Sequence, residues 1–207
     1  HSLEEAHQRG LIHRDIKPAN IFTCRMGLEV DFVKVLDFGL VKAQGDGDPQ
    51  EQMLTAPNAT AGTPAFIAPE VAQGETAIDH RVDIYALGCV AYWLLTGQLV
   101  FEAPNAMQQL LLHISKAPVP PSGRMELPIP AELDDLILTC LAKQPAGRPA
   151  SAAEVARRLA AIYPPETWSQ ERAHGWWERH HPEQAAPAPT CCNDLSLTKA
   201  VGSSWGD

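Results

Sequence analysis

Along the first forty residues the apolar positions change rhythm twice. In "SLEEAHQRG", Leu3, Ala6 and His7 recur at helical spacing and Gly10 follows in the stop position, which predicts a short helix ending there. Two β-rich runs come next, "NIFTC" and "DFVKVLDF", on either side of the Gly-containing "RMGLE", the pattern of a small hairpin. From Asp79 onward the period is helical throughout. "DHRVDIYALGCVAYWLLTG" closes at Gly97, "NAMQQLLLHIS" follows Pro104, "PAELDDLILTCLAK" stops before Pro145, and "SAAEVARRLAAIY" opens at Ser151 with Glu154 three residues on, a capping-box spacing. The body is therefore expected to be mainly α-helical with one small hairpin.

Two stretches break the pattern. Residues 42–63 are poor in large apolar side chains and hold Gly45, Gly47, Pro49 and Pro57. Loops of that length without internal structure are uncommon in compact domains and tend to be functional. Beyond Pro164 the composition shifts to Pro, Ala and Ser with four of the five Trp. The expected division is a body over 1–162 and a tail over 163–207. The first half of the tail is expected to form a short amphipathic helix laying Trp168, Trp176 and Trp177 on the body, and the last part to be disordered.

Composition narrows the function classes. With 45% hydrophobic and 20% charged residues the chain has a globular make-up, and its formal charge of −9 argues against a surface for nucleic acid or anionic membrane. The longest uncharged apolar run, Ile84 to Leu95, is twelve residues against the ~20 a membrane helix needs, so it reads as a buried core helix. Five Cys is an odd number, and Cys24, Cys89 and Cys140 sit in apolar sequence, which suits reduced thiols in a cytoplasmic protein. The chain begins with His1 and has no signal pattern, so a fragment of a longer protein is expected, and a membrane anchor outside it is left open.

Four residues carry a chemistry in common. Phosphoryl transfer to a hydroxyl needs a carboxylate to take the proton, hard oxygen ligands for a metal, and positive charge near the phosphate. Asp15, Lys17, Asn20 and Asp37 supply these types within a short span. They fall in "HRDIKPAN" and "DFG", followed in order by "GTPAFIAPE". With that set the chain resembles the protein kinases, and within them the bacterial eukaryotic-like (Hanks-type) Ser/Thr kinases, over roughly His1 to Ile162.

The resemblance implies the large, C-terminal lobe of a protein-kinase fold, α+β, with the small N-terminal lobe absent, and a parent activity using ATP and Mg²⁺ on protein Ser/Thr acceptors. Asp15 would be the catalytic base and Lys17 the cation at the γ-phosphate. Asn20 and Asp37 would hold the metal ions, and His13 would pack in the structural spine. Arg14 beside the base implies control by activation-loop phosphorylation, with Thr55 and Thr60 the candidate acceptors unless both are ordinary loop threonines. Thr63 resembles the residue that bonds the catalytic Asp and Lys. Glu70 and Arg148 fit the family's buried ion pair, and Asp83 resembles the helix residue that accepts backbone hydrogen bonds from the catalytic loop.

Departures qualify these expectations. Trp93 stands where kinases that prefer basic substrates often carry Glu. No G-x-G-x-x-G loop and no V-A-I-K-type lysine occur, and "GDGDPQ" follows the DFG motif and lacks flanking strands. The 207 residues alone are thus expected to be inactive, and the competing reading is a pseudokinase-like docking module. His174, His180, His181, Cys191 and Cys192 lack the spacing of a zinc module and read as surface residues.

Overall fold

The computed structural model describes residues 2–26, 29–37, 64–163 and 165–181. Helix α1 (Ser2–Gln8) leads through an extended segment and a 3₁₀ turn (Pro18–Asn20) into β1 (Ile21–Met26) and β2 (Glu29–Val35). The helical body follows: α2 (Pro69–Ala72), α3 (Arg81–Thr96), α4 (Ala106–Ser115), α5 (Ala131–Cys140) and α6 (Ala152–Ile162), with α7 (Gln170–His180) beyond it. Mainly helical with one small antiparallel sheet, this is the architecture the sequence pattern predicts.

Helix α3 is the axis of the core. Its apolar run is buried or half-buried from Ile84 to Tyr92, as expected of a core helix, but the expectation is corrected at its end, where Trp93 and Leu94 reach the surface. Tyr85, Cys89 and Tyr92 pack with Leu133, Ile137 and Leu141 of α5 or its C-cap and with Val100 and Phe101. On another side Ala86 and Val90 meet Leu3 of α1 and Ile16. Gly97 ends α3 in the left-handed region at φ 67 and donates its N–H to the Trp93 carbonyl at 2.8 Å, which closes the last turn. At Ser151 the cap forms as expected, with Oγ accepting from the Glu154 N–H. The reciprocal arm is displaced by one residue, because Glu154 Oε2 accepts from the Ala150 N–H at 2.8 Å.

The hairpin is irregular. Ile21 pairs with Val35 and Cys24 with Phe32, but Met26 pairs with Glu29, so Val30 and Asp31 together stand opposite Arg25. That is a β-bulge, and Asp31 sits within it at φ 60. Cys24 is only half-buried and donates to the Phe32 carbonyl, while Cys89 and Cys140 are buried thiols as expected.

The tail helix α7 packs on β2 through Ala173, Trp177 and Val30. Of the three tail tryptophans expected on the body, Trp177 is buried, Trp168 is 50% exposed and touches the body through its N–H to Asp31, and Trp176 is 41% exposed and stacks on His180 at 4.7 Å, which corrects the expectation for it. Trp176 and Trp177 are neighbours, and successive helical side chains point ~100° apart, so one faces β2 and the other faces away.

Candidate active site

The loop between α1 and β1 holds its shape through one buried carboxylate. Asp83, in the first turn of α3 and 1% exposed, accepts the backbone N–H of His13 on Oδ2 and that of Arg14 on Oδ1, each at 2.8 Å. His7 of α1 donates Nε2–H to the same Oδ2 at 2.8 Å. Three donors on one buried carboxylate offset its desolvation. They also hold Arg14 at φ 63, a left-handed conformation that costs a non-glycine residue about 1 kcal/mol or more unless its surroundings enforce it.

His13 is fully buried and joins the loop to the end of β2. Its Nδ1 accepts the Asp15 N–H at 3.2 Å, so Nε2 carries the proton and donates to the Leu36 carbonyl at 2.8 Å. The Leu36 N–H in turn donates to the Asn20 carbonyl at 2.9 Å. Leu36 is thereby fixed on both sides, immediately before Asp37, itself at φ 61.

Around Asp15 the polar groups converge. Lys17 Nζ lies 2.8 Å from Asp15 Oδ2, and Asn20 Nδ2 donates to the same oxygen at 3.0 Å and to the Asp15 carbonyl at 2.8 Å. With its nitrogen committed to Asp15, Asn20 turns its amide oxygen the other way. An Asn oxygen and an Asp carboxylate are hard ligands, and the pair suits Mg²⁺, a cation that keeps most of its waters and takes few protein oxygens.

Glu70 and Arg148 form the expected buried pair. Arg148 Nη1 and Nη2 meet Glu70 Oε1 and Oε2 at 2.6 and 2.7 Å, a bidentate fork. Its remaining N–H groups donate to the carbonyls of Ala142, Arg81 and Lys143, so all five donors are used. The guanidinium also lies over the Tyr85 ring at 4.9 Å. This ties α2, which follows the "GTPAFIAPE" turn at Pro64–Phe66, to the segment before α6.

A second buried cluster lies nearby and was not legible in the motifs. His113 of α4 is fully buried, its Nδ1 meets the Tyr85 hydroxyl at 2.9 Å, and its carbonyl accepts from Lys143 Nζ at 2.7 Å. Burial, with the Lys143 charge adding to it, lowers His113 to about 4, and burial lowers Lys143 to about 8. The site's other unforeseen member is His7. Its one sequence signal was a polar residue on the apolar stripe of α1.

The structure thus brings His13, Arg14, Asp15, Lys17, Asn20 and Asp83 into one connected site with Asp37 at its edge, and places Glu70 with Arg148 in a separate structural pair. Thr55, Thr60 and Thr63 lie outside the described residues, as do Phe38 and Gly39 of the DFG motif and Cys191 and Cys192.

Comparison with known proteins gives the same family throughout. The protein kinase domain model matches residues 1–159. Serine/threonine-protein kinase pkn3 of Myxococcus xanthus is 42% identical over 162 residues, covering 78% of this chain and 29% of that protein. Pkn1 of the same organism is 44% identical over 152 residues, 73% of this chain and 21% of its own. PknB of Mycobacterium tuberculosis is 39% identical over 168 residues, 80% of this chain and 25% of its own. The chain therefore spans well under a third of the length of these curated relatives.

Proposed function

Since the chain belongs to the protein kinase family, among the bacterial Hanks-type Ser/Thr kinases, we propose that it is the large lobe of an enzyme that moves the γ-phosphoryl group of ATP to Ser or Thr hydroxyls of protein substrates. The observation that carries this reading is the crowding at Asp15. Its Oδ2 is taken by Lys17 and Asn20, which leaves Oδ1 to orient the acceptor hydroxyl and receive its proton. Lys17, 2.8 Å away, carries its charge where the transferring phosphoryl oxygens would pass. Asn20 and Asp37 would hold Mg²⁺, which supplies charge neutralisation across the phosphates when bound. Positioning and electrostatics account for nearly all catalysis of this reaction, so a rigid loop is the main contribution of the chain.

The sequence carries no glycine-rich phosphate loop and no strand lysine, so the 207 residues alone bind ATP weakly and turn over negligibly. A docking module without catalysis has no chemical use for Asp15, Lys17, Asn20 and Asp37 together, which favours the enzyme. No described helix is long and apolar enough to cross a membrane. Asp15→Asn in the intact protein, assayed by transfer of labelled γ-phosphate, is the test: the rate falls by about 10² or more if Asp15 is the base. An undiminished rate or an unchanged cellular role would favour the docking module.

A further inference from the structure

Residues beyond the family match are built onto the strand that delivers Asp37. The protein kinase match ends at residue 159, yet α7 and the turn before it (Pro165–Trp168) make a specific contact with β2. Gln170 uses its whole side-chain amide there. Its Oε1 accepts the Val30 N–H at 3.1 Å and its Nε2 donates to the Val30 carbonyl at 3.2 Å, the pairing a neighbouring strand would give. Asp31 takes one indole on each carboxylate oxygen: Trp168 Nε1–H on Oδ2 at 2.7 Å and Trp177 Nε1–H on Oδ1 at 2.5 Å.

Several independent features mark this as a built contact. The bulge places two residues, Val30 and Asp31, against Arg25. Asp31 stays at φ 60, a conformation that Asp tolerates better than most residues but that still needs support. Val30, Ala173 and Trp177 close an apolar cluster beneath the polar contacts.

The strand so gripped runs directly to the metal-binding end of the site. Val35 pairs with Ile21, Leu36 is locked by Asn20 and His13, and Asp37 follows. A two-stranded sheet is marginal by itself and draws its stability from what packs on it. Here the Ile21–Val35 end rests on Leu3, Ile16, Ala86 and Val90, and the Val30–Asp31 end is covered by α7. We propose that Asp31, Gln170 and Trp177 are positioning residues for phosphoryl transfer, and that the tail helix clamps β2 so that Asp37 is held ready for Mg²⁺. This rests on the kinase reading above.

The test has two arms, both on Asp31→Asn, which keeps side-chain volume and removes one indole hydrogen bond, and on Trp177→Phe, which removes the other together with part of the buried ring. In the 207-residue chain, amide hydrogen exchange is expected to quicken about tenfold at Leu36, with the α3 amides unchanged, because a charge-assisted bond of that strength is lost at the far end of the strand. Faster exchange confined to Val30 would overturn the proposal. In the intact kinase, the Mg²⁺ concentration for half-maximal rate is expected to rise about fivefold with the KM for the protein substrate unchanged. An unaltered Mg²⁺ requirement would also overturn it. Absence of phosphoryl transfer in the unsubstituted intact protein would instead sink the kinase reading, while the exchange arm still decides whether the tail is coupled to Leu36.

Discussion

Asp83 Oδ1 receives the N–H of Arg14 at 2.8 Å, and Arg14 is the residue held in the left-handed region one position before Asp15. The contact converts a conformation that the loop would otherwise leave into one it keeps. Asp83→Asn retains one acceptor oxygen and turns an amide N–H₂ toward groups that are themselves donors. We expect the variant to lose about 2 to 3 kcal/mol of stability and, in the intact kinase, about 10² in kcat with little change in KM. Urea titration and steady-state kinetics check both, and an equal fall in stability with undiminished kcat would show that the contact is structural alone.

The Glu70–Arg148 fork is buried at both ends, with 4% and 0% side-chain exposure. A buried pair adds little net stability, but removing one partner strands the other's charge. Glu70→Ala is therefore expected to destabilise the chain by about 3 to 5 kcal/mol, whereas replacing both residues by apolar ones of similar volume should cost less than the single change. Denaturant unfolding of the single and double variants measures the difference.

Gly88 sits on α3 where α5 crosses it, and a Cβ there would meet Cys140 Cβ at 2.8 Å and Leu141 Cδ2 at 3.3 Å. Cys140 Cβ belongs to a helix packed on several sides and has no flexible end to move. Gly88→Ala should therefore lower stability by about 1 to 3 kcal/mol despite the better helix propensity of Ala. Gly175→Ala, where nothing lies within 4 Å, is the control and should be neutral or stabilising. Thermal melts of the two variants decide it.

Motif order was enough to assemble Asp15, Lys17, Asn20 and Asp37, because a reaction that needs those groups at fixed spacing writes them into a contiguous loop and its partner strand. The apolar run of α3 and the Gly97 stop were legible for the same local reason. His7 was not, since its partner lies 76 residues away and a polar residue on an apolar stripe does not say what it meets. The bulge at Val30–Asp31 was hidden too, because it is a mismatch between two strands and neither strand shows it alone. Trp176 and Trp177 looked equivalent in sequence, and only the rotation of α7 against β2 separates them.

His113 supplies a pH dependence with a definite sign. Its folded pKa is about 4 against an ordinary 6.5, lowered by burial and then by Lys143, whose Nζ lies on the His113 carbonyl, with the Ala65 backbone opposing; Tyr85 meets its Nδ1 and Phe101 packs edge-on against its ring. Between those values the unfolded chain binds the extra proton, so stability is whole above about pH 6.5 and drains as pH falls toward 4. The slope from this group reaches at most about 1.4 kcal/mol per pH unit. Urea midpoints across that window should fall in the native chain and fall less steeply in His113→Gln, and parallel slopes would assign the loss to the carboxylates instead.

Arg14 is exposed while its backbone is fixed by Asp83, so its side chain starts from a set origin next to Asp15 in the chain. A phosphate on Thr55 or Thr60 would find in Arg14 a cation to pair with through charge-assisted hydrogen bonds. In the intact kinase we expect one of these threonines to be autophosphorylated and phosphatase treatment to lower kcat by about tenfold or more. Arg14→Gln should start at the low rate and respond little to phosphatase, because the added phosphate then lacks its partner. Phosphopeptide mapping that finds neither threonine modified, or a variant that still loses most of its rate on dephosphorylation, would refute the role of Arg14.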